Sequence, residues 1–183
     1  AGAVFTLNSF DLTVNGDATV SGTITASGSE TITFSNVTVS GALTAAGTEV
    51  IHVSGDADFT GGTFAEASSH LILNGVIAQT FISDSESFHA LTMSNQSALV
   101  TFADAIQTTY YYSRSGNVTY GGNVDATQFH VYSENGSITQ TFSAGSTYAF
   151  QEFWLHGSTG MTQVLRSSSS SAWNLDVSGV AYV

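Results

Sequence analysis

Leu71-Ile72-Leu73-Asn74-Gly75 and, 20 residues on, Leu91-Thr92-Met93-Ser94-Asn95 follow one plan: two apolar residues flanking a third, then Asn or Ser, then Gly or Asn. Used as a template, the plan finds landmarks at Gly16, Asn36, Gly55, Gly75, Asn95, Gly116, Gly136, Gly157 and Gly179, spaced 19 to 22 residues apart. A period of this size marks a structural unit that stacks on copies of itself.

The columns of the alignment carry the same message. Four residues before the landmarks stand Leu12, Ile32, Ile51, Leu71, Leu91, Tyr112, Tyr132, Phe153 and Leu175, all apolar. In a chain that is 42% apolar, nine of nine by chance is on the order of one in a few thousand. Two before stand Val14, Phe34, Val53, Leu73, Met93, Arg114, Glu134, Leu155 and Val177. The residue between these columns is mostly polar and the one just before the landmark always is. In-out-in alternation is a half-buried strand, and the Ser/Asn-Gly/Asn step is where that strand turns. Arg114 and Glu134 break the second column with opposite charges in successive repeats. Either they pair across neighbouring coils, or the strand slips register around Tyr110–Tyr112 and both point outward.

These strands predict an all-β chain, a β-solenoid of about nine coils of some 20 residues, with a right-handed parallel β-helix as the expected form. At ~4.8 Å per coil the rod would be roughly 40 Å long. The competing fold is an antiparallel β-sandwich or jelly roll with strand exchange at the N-terminus. No composition break divides the chain, so residues 1–183 read as one domain.

Leu73-Asn74-Gly75, Ala78-Gln79-Thr80, Phe88 followed by Leu91-Thr92-Met93-Ser94-Asn95, Leu165-Arg166-Ser167 and Trp173-Asn174-Leu175-Asp176-Val177-Ser178-Gly179 resemble the repeat modules of prokaryotic cell-surface and secreted β-solenoid proteins. The resemblance spans most of Leu12 to Gly179 and implies a structural or adhesive role at an extracellular or cell-surface location.

Charge narrows the partners. Arg114 and Arg166 are the only cations beside five histidines, and the net charge is −12. Such a surface repels nucleic acid and anionic membranes, and no apolar run is long enough to span a bilayer. With no cysteine there is neither a disulfide framework nor thiol chemistry.

Apolar strand-like stretches stand at both ends, with Val4, Phe5 and Leu7 at one and Val180, Tyr182 and Val183 at the other. An uncapped coil exposes backbone and apolar side chains, so these six residues are the expected assembly interface. The chain is then a self-associating, head-to-tail structural subunit of an extracellular filament or surface assembly, or else part of a longer solenoid.

Three further candidates concern chemistry. Asp84, Asp104 and Asp125 each lie nine residues after a landmark and would stack as a carboxylate ladder. Such a ladder is a water-screened acidic face or a place for a bridging Ca²⁺, the one cofactor the sequence admits. Asp84, Glu86 and His89 form the compact cluster a polysaccharide-active β-helix enzyme would need, but two arginines are few for holding an acidic sugar, and the expectation is no enzyme. His52, His70, His130 and His156 fall in different columns with no ligand spacing. Trp154 and Trp173 are candidates either to stack on glycans, as in a carbohydrate-binding adhesin, or to seal a subunit interface.

Overall fold

In the computed structural model the chain winds as a coil whose successive turns lie side by side, and Leu71-Ile72-Leu73 pairs directly with Leu91-Thr92-Met93. The structure describes residues 2–95, 98–114, 116–133 and 136–183. Among these there are nineteen strands and no helix. The first ten are β1 (Val4–Thr6), β2 (Leu12–Val20), β3 (Thr23–Ala26), β4 (Thr31–Val39), β5 (Ala42–Ala45), β6 (Val50–Val53), β7 (Ala57–Asp58), β8 (Thr63–Glu66), β9 (His70–Leu73) and β10 (Gln79–Ile82). There follow β11 (Ser87–Met93), β12 (Leu99–Phe102), β13 (Ile106–Ser113), β14 (Asn117–Tyr120), β15 (Val124–Tyr132), β16 (Ile138–Phe142), β17 (Thr147–His156), β18 (Gln163–Ser167) and β19 (Asn174–Tyr182).

Every strand pairing among the described residues is parallel. The chain is therefore a β-solenoid, and the sandwich alternative falls. Each coil crosses three faces. Face A carries the first part of β2 and β4, then β6, β9 and the second parts of β11, β13, β15, β17 and β19. Face B carries the second parts of β2 and β4, then β7, β10, β12, β14, β16 and β18. Face C begins with β1, β3, β5 and β8 and resumes with the first parts of β11, β13, β15, β17 and β19. Complete turns number fewer than the nine landmarks, because the first described strand lies on face C and the last row stops on face A.

The column pattern holds up to Leu91 and then needs correction. On face A the inward rows run Leu12, Ile32, Ile51, Leu71, Leu91, Tyr111, Phe129, Phe153 and Ala181. Tyr111 stands where the columns place Tyr112 and Phe129 where they place Tyr132, while Leu175 pairs with Tyr148 on face C. The strand has slipped by one residue at Tyr110–Tyr112, so Ser113 takes the inward place next to Met93. Arg114 is exposed, because a lone guanidinium in that core would lose its hydration without an anion in return. Glu134 lies outside the described residues.

Inside, the aromatic rows thicken toward the C-terminal half. Phe102 and Phe142 lie parallel above and below Tyr120, with centroids 5.6 and 5.1 Å away. Tyr111 stacks on Phe129 at 4.4 Å. Two of the buried phenols join in one chain: Tyr111 and Tyr120 share a hydroxyl hydrogen bond of 2.5 Å, Tyr120 donates to Gln140 Oε1, and Gln140 Nε2 donates to Ser113 Oγ. Burial pushes both phenols well above the ordinary tyrosine range, so each remains a neutral donor. A second buried polar knot, Gln79, fastens the looser corner after Gly75. Where face B turns into face C, Gly41 lets adjacent coils touch, since a Cβ there would collide with the Gly22 carbonyl oxygen.

Candidate functional site

The outer surface of face A collects most of the aromatic side chains that the core does not use, together with His52, His70, His130 and His156. Its central outward column runs Thr13, Thr33, His52, Ile72, Thr92, Tyr112, His130, Trp154 and Tyr182. One column over, Tyr132 pairs with His156; on the other side Tyr110, Gln128 and Glu152 follow one another. These positions alternate with the inward rows, so the pleat that buries Tyr111 and Phe129 is what sends Tyr110, Tyr112 and His130 outward.

The rings are stacked on each other rather than laid flat. His130 stacks on Trp154 at 5.3 Å, Trp154 on His156 at 5.2 Å and His156 on Tyr132 at 4.4 Å, all within 17° of parallel. Arg114 lies over the rings of Tyr112 and Tyr132, 5.7 and 5.2 Å from their centroids. Such stacking and cation–π contact use up the ring faces and leave mainly edges to solvent. Tyr182, 4.0 Å from Trp154 and 49% exposed, ends the ladder. His130 Nδ1 shares a 3.0 Å hydrogen bond with the Tyr132 hydroxyl, whereas its Nε2, Trp154 Nε1 and His156 Nε2 are buried in the stack without a hydrogen-bond partner. Burial, then the neighbouring His156, holds the His130 imidazole below the usual histidine range. His70 is lowered as well, by burial first and then by Arg114.

Trp154 is thus on the surface as expected, but Trp173 is not: it packs on the core, stacked on Phe142 at 4.2 Å. The histidines are the feature that column reading missed. The slip at Tyr110–Tyr112 and the unequal coil lengths scatter them along the sequence, and only the pairing register brings them to one sheet.

The carboxylates do something different from what their spacing implied. Asp84 Oδ2 accepts the Gly61 N–H, and Asp104 accepts the N–H groups of Ser83 and Asp84. Asp84 and Asp104 therefore each cap the turn of the preceding coil. Asp125 is not in that column; it pairs with Gln107 on face C. The three do not converge on a point, and among the described residues no three His, Cys, Asp or Glu side chains gather as metal ligands. At the opposite corner the buried Glu30 and Glu49 cap likewise: Glu30 accepts from Ser9 and Gly28, Glu49 from Gly28 and Gly47. Backbone N–H groups, its own the largest contributor, hold the Glu30 carboxyl below its ordinary range.

Asp84, Glu86 and His89 are likewise parted. Glu86 accepts the Phe64 N–H at 2.6 Å, and His89 sits edge-on to Tyr110. Two shallow polar depressions of about 350 and 200 Å³ on face C share Asp125 and Thr127. The larger also holds Glu66, whose Oε2 is buried without a partner and whose pKa is raised by burial.

At the ends, Val4 and Phe5 on β1 are 67% and 54% exposed, and Val180, Tyr182 and Val183 are 45%, 49% and 98% exposed. Leu7, assigned to the same interface from sequence, is instead buried, because its N–H donates to Thr25 and its side chain joins the core. No family model, characterised protein or solved structure matches the chain.

Proposed function

We propose that the chain is a structural, self-associating module of an extracellular filament or cell-surface assembly, with copies joined end to end through the terminal rungs. The observation that supports this reading is the character of those rungs. Both present an unpaired strand edge, and both carry exposed apolar side chains: Val4 and Phe5 on one, Val180, Tyr182 and Val183 on the other. A β1 edge laid on the first part of β19 continues face C, and a β2 edge laid on its second part continues face A. Face B keeps a one-strand step at each joint. The contact joins two different surfaces, so it propagates into an open chain of copies rather than closing.

Negative-stain microscopy and sedimentation of the 183-residue chain test the reading. Filaments or sedimentable assemblies are expected, unchanged by chelator because the corner carboxylates already cap backbone. Val4→Glu with Tyr182→Glu, both at exposed positions, should abolish them while leaving the circular dichroism spectrum intact. A monodisperse monomer at high concentration would sink the proposal. The adhesin reading rests on the aromatic row of face A; it competes poorly because the rings cover one another, and a glycan array without hits removes it.

A further inference from the structure

The turn from face C to face A changes length along the chain in small steps. Its length is the separation between the last core-facing residue of a face C strand and the first of the face A strand that follows. Leu7 and Leu12 are five residues apart, Ala26 and Ile32 six, Ala45 and Ile51 six, and Glu66 and Leu71 five. Phe88 and Leu91, Thr108 and Tyr111, Ala126 and Phe129, and Phe150 and Phe153 are all three apart. Val177 and Ala181, in the last row, are four apart.

Neighbouring rungs whose turns differ by one residue stay paired on both faces. The rung of β1 and β2 pairs with that of β3 and β4, and the rung of β5 and β6 with that of β8 and β9, on face C and face A alike. β17 and β19 do the same through a bulge: Phe150 and Glu152 enclose one residue, whereas their partners Val177 and Val180 enclose two. Gly179 in that bulge lies on the Gln151 carbonyl, whose oxygen a Cβ would approach to 2.5 Å. Among the described residues, the one step of two, from Glu66–Leu71 to Phe88–Leu91, is where face C is interrupted. There β8 ends a four-stranded sheet without pairing to β11, although β9 still pairs with β11 on face A.

β19 thus leaves the three-residue turn of the four rungs before it and moves toward the five-residue turn of the first rung. We infer that this bulge shapes the last rung to receive the first rung of a second copy and fixes the register of the joint. Leu175 faces Phe5 of the second copy, Val177 faces its Leu7, and Ala181 faces its Leu12. Each of the six stands in a core-facing column at its own end. A four-residue turn then meets a five-residue turn, the single step that elsewhere keeps both faces paired. A slip of one residue would turn the apolar column outward, and a slip of two would leave Leu175 or Phe5 without a facing side chain. The register presupposes the end-to-end reading and adds to it which residues meet.

Charge favours the same head-to-tail order. One outward column of face B begins at Asp17, passes through Asp56, Thr101 and Thr141, and ends at Arg166. Among the described residues the Arg166 side chain meets Thr141 Oγ1 and no carboxylate. Joined in this register, Arg166 lies two rungs, roughly 10 Å, from Asp17 of the second copy, across the vacant strand position. That is about one screening length at ordinary ionic strength, so the opposite charges still attract.

The test is disulfide trapping, because the chain has no cysteine of its own. Residues facing each other on adjacent strands are about 4.8 Å apart, within disulfide range; those displaced by two are about 8 Å apart, outside it. Thr6→Cys with Asp176→Cys on face C, and Thr13→Cys with Tyr182→Cys on face A, use exposed positions. On oxidation each pair should give a ladder of covalent oligomers on denaturing gels. The displaced pairs, Val4→Cys with Asp176→Cys and Asn15→Cys with Tyr182→Cys, should give none. Microscopy under reducing conditions first establishes that each variant forms filaments, and pairs on two faces keep the test open if one variant fails to assemble. Filaments that cross-link through the displaced pairs, through Thr13→Cys with Val183→Cys, or through no pair overturn the register and leave the end-to-end reading standing. Absence of filaments from the 183-residue chain itself overturns both.

Discussion

Gln79→Leu should destabilise the solenoid locally by about 3 kcal/mol. Gln79 is 1% exposed and sits at the corner that follows Gly75. Its Oε1 accepts the Gly75 N–H at 2.9 Å and Asn95 Nδ2 at 3.0 Å; its Nε2 donates to the Val53 and Gly55 carbonyls at 3.0 and 2.6 Å. Leucine has nearly the same volume, so the cavity contribution is small. What counts is which partners have another bond. Val53 O keeps the Asn74 N–H and Asn95 Nδ2 keeps the Ile77 carbonyl. Gly75 N–H and Gly55 O are buried and lose their partner outright, at about 1–3 kcal/mol for the donor and about 1 for the acceptor. The outward Thr101→Val is the control and should move stability by less than about 0.5 kcal/mol.

Solenoids unfold in pieces, so the assay is amide hydrogen exchange across residues 71 to 95 alongside urea unfolding. At about 1.4 kcal/mol per decade, exchange there should accelerate roughly a hundredfold while β16 and β18 stay protected. A loss below about 1 kcal/mol, or acceleration spread evenly along the chain, would refute the claim that this amide closes the corner.

Glu66 gives a pH test of opposite sign to the usual carboxylate. Burial raises its folded pKa above the unfolded one, so it destabilises the protein increasingly as pH rises through that interval and has no effect below it. Glu66→Gln should therefore raise the melting temperature at neutral pH and lose the advantage at about pH 4; a gain that persists in acid contradicts this. His70 and His130 titrate with lowered folded pKa values, and their contribution to stability, complete above the unfolded histidine pKa, declines as pH falls below it. His130→Phe should flatten that decline in urea titrations between about pH 7 and 5, and an unchanged slope would tell against the stacked environment. Tyr111→Phe and Gln140→Leu should be non-additive in a double-mutant cycle by about 0.5–3 kcal/mol, because both belong to one hydroxyl–amide chain. Additive losses would mean the chain is not a unit.

Much of the winding is legible in the order of the residues alone. The Leu12-to-Leu91 columns predict the correct inward residues because those coils have nearly equal lengths, so period and register coincide. They part at Tyr110-Tyr111-Tyr112, where three successive tyrosines satisfy an apolar column in either register. Only the buried hydroxyl chain through Tyr120, Gln140 and Ser113 chooses Tyr111 for the inside. The columns misplace Leu175 and Val177 for a related reason. The Ser167–Ser171 run lengthens the last coil, and the strand that the motif assigns to face A lies on face C.

The surface is less legible than the core. Spacing puts Asp84, Asp104 and Asp125 in one ladder, but a spacing counted from landmarks cannot distinguish a turn from a strand, and two of the three cap turns while the third lies on a face. The repeat, the all-β class and the single apolar core are properties of the sequence alone, since hydrophobic period is local and survives without knowing which strands pair. The stacked aromatic and histidine surface of face A is decided only by tertiary structure. These side chains have no period to follow along a chain with unequal coils, and residues separated by 18 to 24 positions, such as Arg114 and Tyr132 or His130 and Trp154, become neighbours only when the backbone hydrogen bonds set which rung lies next to which.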